Sequence, residues 1–374
     1  HRRAWAGREI PLPETFDVAL KPDGGITPEP EASRMPRGSY WVGQDPLGLE
    51  GFRDHQVTHK ACNWIENDRD SDRPFFLWLN WGSPHPPYGI PEPYYGYIDR
   101  SAIELPPEDD PQNKPAFQKV LRRVYGMERM TKDDWREVIG TYLDMCHFVD
   151  EQVRLIFKSL ERAGLLEDTI VAIWSDHGDF AGEHQLPEKW DTCFYDCITR
   201  VPLILHVPGR FAGFRSNALV ESIDLMPTLL DLAGVSPPLG LQGRSLLPLF
   251  EGEAEQHRDV VFCQGGQEPE MLEHVVPVEA RPRPCEAYLL KQQALVDEPS
   301  NNLRAKMIRD HHWKYTCRLD GCEELYDLNA DPAEIDNLAA RPEPPDQLDR
   351  MRRRMMHKLI EAETVEPHQS SVEA

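Results

Sequence analysis

Four polar side chains are spaced so that they could work on an anionic ester. Asp176 and His177 stand side by side in "SDHG", Lys189 follows a dozen residues on, and His85 lies far upstream in "SPHPPY". Asp176 offers a hard oxygen of the kind that Ca²⁺, Mg²⁺ or Mn²⁺ takes, and an adjacent imidazole can orient an anion or complete a metal's shell. Lys189 sits between Pro187 and Trp190, a setting that a solvated surface lysine does not need, and His85 is braced by Pro84, Pro86 and Pro87. A metal-binding acid, a fixed cation and two imidazoles suit a tetrahedral oxyanion ester, because positive charge there stabilises the transition state. Singly, each has a plainer reading: a strand-end Asp is often a cap, and a lone His is more often structural than a ligand.

The flanking residues indicate what must hold these groups. Ile170, Val171, Ile173 and Trp174 read as a strand covered on both faces, the habit of parallel sheets, and Gly178 ends it. Ligands of such sheets sit beyond the carboxyl ends of the strands, where Asp176 and His177 fall. Phe75–Leu79 is a second buried-strand candidate, and it runs into the loop of His85. Leu203–Val207 is a third, stopped by Pro208-Gly209. Between Asp133 and Gly164, Val138, Tyr142, Cys146, Val149, Val153, Ile156 and Leu160 recur at three- and four-residue steps, predicting an amphipathic helix capped by Thr131 or Asp133. A helix-like segment spans Val57–Asp68, and a short helix in "SIDLMPTLLDLAGV" has Pro227 in its first turn and Gly234 as terminator. Residues 101–130 read as an irregular excursion. The α/β domain is expected to close near Phe250, giving a division into 1–250 and 251–374. Beyond it, "DVVFC" and "WKYTC" suggest a small antiparallel sheet, with 264–303 as a long insertion or loop, a helix over Asp346–Glu363 and a frayed polar tail.

Composition narrows the function classes. A formal charge of −23 over 374 residues excludes the clustered Lys and Arg that nucleic acid or an anionic membrane demands. No segment reaches the roughly 20 apolar residues of a membrane span, and "HRRAWAGREIPLPETF" lacks the apolar core of a signal peptide. A soluble protein is expected, cytoplasmic or exported. The eight Cys form no C-x-x-C pair. Cys193 with Cys197, or Cys317 with Cys322, could pair, but isolated thiols are the simpler expectation.

"SDHGDFAGEHQLPEKW", "RVPLILHVPGR", "DLMPTLLDLAG", "LQGRSLLPLF", "RDHHWKYT" and "ELYDLNADPAEIDNLA", in that order, resemble the sulfatase family of the alkaline phosphatase superfamily. The resemblance runs from about Val57 to Ala339. It implies an α/β fold with a large mixed, mostly parallel sheet sandwiched by helices, and a hydrolase of sulfate esters that uses a divalent cation, usually Ca²⁺, and a formylglycine made from Cys or Ser. Carried over by position, Asp176 and His177 would be metal ligands, and His177, His85 and Lys189 would bind substrate. Lys189 would contact the sulfate oxygens and His85 would help the leaving group depart. Glu183 and His184 in "GEH" would be supporting or structural, and His311 and His312 would lie on the surface. The substrate would be a small-molecule or carbohydrate sulfate ester.

The family's N-terminal third carries a paired Asp and a C-x-P-S-R or S-x-P-S-R signature, and none of the eight Cys here has those followers. The chain is therefore expected to begin after the nucleophile segment, to be inactive as it stands, and to hold only part of the site. A phosphonate or phosphate ester hydrolase of the same superfamily, or a non-catalytic relative, are the alternative readings.

Overall fold

The structure, a computed structural model, describes residues 42–45, 48–238, 240–268 and 286–363, with the backbone alone of 4–5, 8–9, 286–290, 292 and 363. The helix expected near Val57 forms as α1 (Arg53–Asn63), continued by a π-helical turn over Trp64–Asp68. The stretch 101–130 is not wholly irregular: it carries α2 (Ala116–Val124), with Phe117, Val120 and Leu121 on one buried face. Their helical spacing is real, but Pro106, Pro107, Pro111 and Pro115 precede it and mask its start.

The longest periodic run becomes α3 (Lys132–Arg162). Its capping box is complete: the Asp134 N–H donates to Thr131 Oγ1 at 3.2 Å, and the Thr131 N–H donates back to the Asp134 carboxylate at 2.7 Å. Gly164, at φ +69, ends it. Val138, Met145 and Phe148 face the main core, while Ile156 and Leu160 pack on Ala61 of α1 and Ile65 of the π-helical turn. The short helix expected around Pro227 is α4 (Leu225–Leu232), entered through a 3₁₀ turn at Ser222–Asp224.

Strands β1 (Val42–Gln44) and β2 (Tyr88–Ile90) pair in parallel, Val42 opposite Tyr88. Strands β3 (Val171–Trp174) and β4 (Leu203–His206) occupy the expected stretches but pair antiparallel, Val171 opposite His206. The chain between them turns back beside β3, and its one α-helix, Asp196–Thr199, has only four residues. Phe75–Leu79 is extended but has no hydrogen-bonded strand neighbour among the described residues. Phe75, Leu77 and Leu79 pack inward toward α1 and α3, whereas Phe76 and Trp78 stand 77% and 53% exposed. Ile204 on β4 is 58% exposed. The expectation of strands buried on both faces is therefore corrected to one covered face and one open one.

The C-terminal sheet is antiparallel throughout: β5 (Val261–Gly265), β6 (Ala305–Arg309), β7 (Trp313–Arg318) and β8 (Glu323–Asp327) lie in that spatial order. The described part of 264–303 contains α5 (Glu286–Asp297) where a loop was expected, because "EAYLLKQQALVD" is locally helix-forming once the last proline has passed. The expected terminal helix is α6 (Gln347–Glu363), which lays Leu348, Met351 and Met355 on Ile308, Tyr315 and Leu325; the tail after it lies outside the described residues.

Buried charge joins this sheet to the rest. Lys314 of β7 reaches Asp196 at 2.6 Å and Glu334 at 2.7 Å, and Arg309 of β6 reaches Asp196 at 3.1 Å. Among the described residues seven cysteines are free thiols, and neither candidate pair is bridged. Among the described residues no helix is long and apolar enough to cross a membrane. The architecture is α/β with a four-stranded antiparallel C-terminal sheet.

Candidate active site

His85 is placed by the start of α1. The Asp54 carboxylate accepts the N–H groups of Gly82 (2.9 Å) and Ser83 (2.6 Å), tying the proline-braced loop down. The His85 Nδ1–H donates to the Pro86 carbonyl at 2.6 Å, because a carbonyl can only accept. This leaves Nε2 to face the Lys189 ammonium at 2.8 Å. Two residues 104 apart in sequence thus meet, as expected, although the Phe75–Leu79 stretch before His85 is extended chain and not a paired strand. Burial, then the Lys189 charge and His177, hold His85 below the usual imidazole range.

Asp176 and His177 leave β3 on a turn in which Ser175 Oγ donates to the His177 carbonyl at 2.7 Å. The His177 Nδ1–H donates to the Gly178 carbonyl at 2.8 Å, so Nε2 carries the lone pair. It lies 3.7 Å from Asp176 Oδ2, whose side chain is 85% exposed. Asp176, His177 and Lys189 line one cavity of about 1630 Å³. Gly178 is held against the Asp196–Thr199 turn: its N–H donates to the Ile198 carbonyl at 2.7 Å, and a Cβ there would sit 1.9 Å from the Cys197 carbonyl oxygen. Gly178→Ala is therefore expected to cost about 1–3 kcal/mol by overpacking and to displace Asp176 and His177. A urea midpoint and the crystal position of the 175–179 turn would check both; an unmoved turn at full stability would refute the close-approach account.

The loop to Lys189 is strained. Ala181, His184, Gln185 and Glu188 all adopt left-handed φ, between 42° and 63°; such residues cost on the order of 1–3 kcal/mol each and persist where surroundings over-determine them, typically at functional sites. The restraints are visible. His184 is buried and pairs with Asp109 at 2.8 Å, while Glu183 is exposed. Gln185 accepts the Asp109 N–H at 3.2 Å and donates to the Pro107 carbonyl at 2.9 Å. His311 and His312 are exposed, as expected.

Four further groups stand behind the site: Tyr88, Asp179, Glu188 and Lys291. The Tyr88 hydroxyl donates to Asp179 at 2.7 Å and accepts the Glu188 N–H at 2.7 Å. Burial lifts the Asp179 carboxyl to about 7, against the hydrogen bonds from Tyr88 and the Ala181 N–H and against the Lys189 charge. The Glu188 side chain, 2% exposed, lies 3.5 Å from Lys189 and accepts from Tyr125 (2.8 Å) and from Lys291 of α5 (3.1 Å). Burial lowers Lys189 below the usual lysine range, with Lys291 adding to the effect and Glu188 opposing it. Asp179 and Tyr88 lie inside the motifs that drew attention to their neighbours; nothing local marks Lys291.

No group of three His, Cys, Asp or Glu side chains that could hold a metal occurs among the described residues. Asp176 Oδ2 and His177 Nε2 nonetheless have the bite of two neighbouring corners of one coordination shell, roughly 3.3–3.7 Å for ligands at 2.3–2.6 Å. They fit part of a cation's shell and too little to hold one alone.

A sequence model of the Sulfatase family matches residues 19–235, more than half of the chain. The chain is 28% identical to arylsulfatase K of Homo sapiens over 77% of its own length and 52% of that protein. It is 30% identical to choline-sulfatase of Rhizobium meliloti (strain 1021) over 75% of itself and 49% of that protein. Among solved structures it is similar to a phosphonate monoester hydrolase from Silicibacter pomeroyi, with a TM-score of 0.68, 25% identity, and coverage of 87% of this chain and 62% of that one. The chain thus spans about half the length of these curated relatives. With the fold, the loop order and the family's sequence pattern in agreement, this chain belongs to the sulfatase family.

Proposed function

We propose that the chain carries the anion-binding half of a sulfate-ester hydrolase. The observation that carries this reading is the 2.8 Å contact between Lys189 Nζ and His85 Nε2, beside the cavity that Asp176 and His177 also line. Lys189 donates to a non-bridging oxygen of the ester and offsets the charge that develops there. His85, its Nδ1–H tied to Pro86, has Nε2 as the single atom at which it can take up a proton and return it to the departing oxygen. Asp176 and His177 would contribute two ligands to a divalent cation, Ca²⁺ foremost; when bound, it would polarise the ester oxygen. The remaining carboxylates and the formylglycine nucleophile are assigned to a segment that precedes residue 1. On that assignment residues 1–250 are the C-terminal part of the catalytic domain. Residues 251–374 are a subdomain, supported by the separate core that α6 forms with β6, β7 and β8.

A second reading, hydrolysis of a phosphonate or phosphate ester, is favoured by the similarity to the phosphonate monoester hydrolase. The same cation and imidazole would serve either tetrahedral anion. The two separate in one experiment: the complete gene product, with Ca²⁺, assayed against p-nitrophenyl sulfate, a carbohydrate sulfate and a phosphonate monoester. Sulfate esters are expected to give the higher kcat/KM, and residues 1–374 alone to give none. Preference for the phosphonate would overturn the first reading in favour of the second, and turnover by residues 1–374 alone would refute the upstream nucleophile.

A further inference from the structure

We propose that Lys291 is a positioning residue of this site, fixing the peptide of Lys189 and, through Glu188, the direction of the Lys189 ammonium. This assignment rests on the proposed role of Lys189 as the cation that meets the ester's anionic oxygen. Lys291 lies on α5, beyond residue 235 where the match to the family's sequence model ends. Its Nζ donates to the Lys189 carbonyl at 2.8 Å and to Glu188 Oε2 at 3.1 Å. The other Glu188 oxygen faces the Lys189 ammonium at 3.5 Å. One carboxylate is thus shared by two ammonium groups, one turned inward and one turned to His85 and the cavity.

The backbone gives the arrangement its purpose. Glu188 is held at φ 63, a conformation that non-glycine residues leave unless something restrains them. The restraints are the Phe180 N–H to the Glu188 carbonyl at 2.7 Å, the Glu188 N–H to Tyr88 at 2.7 Å, and the two bonds from Lys291. Helix α5 is itself anchored here. Trp190 Nε1 donates to the Asn301 carbonyl at 3.0 Å just past its end, Arg123 of α2 pairs with Glu298, and the Lys291 ammonium lies 5.4 Å from the centre of the Trp190 ring. Charged groups face Lys189 from four directions: His85, Glu188, Lys291 and Asp179. Of these only Lys291 is a full positive charge, so its removal has a sign that packing loss lacks.

The test compares Lys291→Met, Lys291→Arg and Glu188→Gln in the complete gene product. Acylation of Lys189 by an amine-reactive probe at pH 8 is read by mass spectrometry beside aryl sulfate kinetics and thermal melts. With the neighbouring cation gone, the Lys189 amine holds its proton more firmly. Acylation in Lys291→Met should therefore slow by roughly three- to tenfold, and in Glu188→Gln it should quicken. Misaim of the ammonium should lower kcat/KM by roughly tenfold, and Lys291→Arg, which keeps the charge, should recover most of both. A merely structural lysine would lower the melting temperature and leave Lys189 acylation unchanged; that result in a folded variant overturns the proposal. If Lys291→Met does not fold, Lys291→Gln, which keeps a donor and loses the charge, is read in its place: slowed acylation supports the proposal and unchanged acylation overturns it. Absence of all ester hydrolysis by the unmutated protein would count against the proposed function, while the acylation comparison would still judge Lys291.

Discussion

Lys189→Ala in the complete gene product is expected to lower kcat/KM for an aryl sulfate by about 10²–10³, the usual effect of removing one electrostatic contact to the transferring group. Stability should change by less than roughly 1 kcal/mol. The asymmetry follows from the partners. Without Lys189, Glu188 keeps Lys291 at 3.1 Å and the Tyr125 hydroxyl at 2.8 Å, so no buried charge is stranded. The loss falls on the cavity side, where the ammonium faces His85 Nε2 at 2.8 Å. Lys189→Arg should recover little, because a planar fork cannot take a point cation's place at that distance from an imidazole. Kinetics run beside thermal melts decide the matter: near-normal turnover with a large drop in melting temperature would make Lys189 a structural residue.

The largest stability effect is expected at Lys314. This side chain is 1% exposed and bridges Asp196 at 2.6 Å and Glu334 at 2.7 Å. Burial raises the Glu334 carboxyl, and Lys314 is the charge that opposes it. Against its own burial, Asp196 is held low by Lys314 and Arg309. Lys314→Met leaves the Glu334 carboxylate without its paired cation, with only Lys114 nearby on the Glu334 carbonyl, in a site that water cannot reach. The cost should be about 3–5 kcal/mol, read as a lower urea midpoint. Adding Glu334→Gln should restore part of that, since the neutral amide oxygen can still accept the Asp196 N–H that Glu334 now takes at 2.6 Å. An equal loss in the single and double variants would mean that packing, not charge, dominates. Because Asp196 opens the turn that receives the Gly178 N–H, activity should fall along with stability.

How much of this was legible depended on how local each signal is. Helix α3 and its Thr131 cap could be read because periodicity and capping lie within one stretch of chain. The four candidate residues could be read because strand ends, prolines and glycine punctuate them, and the family resemblance orders them. The direction in which β3 meets β4 was not legible, since an apolar run of four or five residues is the same in either pairing. The open faces of Phe76, Trp78 and Ile204 were missed for a related reason: composition states what a side chain favours, not what lies opposite it. Helices α2 and α5 were hidden by the prolines before them. Lys291 was beyond reach altogether, because a contact across 102 residues leaves no trace in its neighbours' types.

The left-handed residues between Ala181 and Glu188 make this loop an unusual target for protein engineering. Glycine normally weakens a fold, but at Ala181 it would relieve backbone strain and forfeit only a methyl group. At Gln185 the same exchange would discard the side-chain bonds to Asp109 and Pro107 that hold the loop in place. Two adjacent-looking substitutions thus pull apart: one offers a sturdier loop with the Lys189 ammonium still aimed, the other a more relaxed loop whose ammonium wanders.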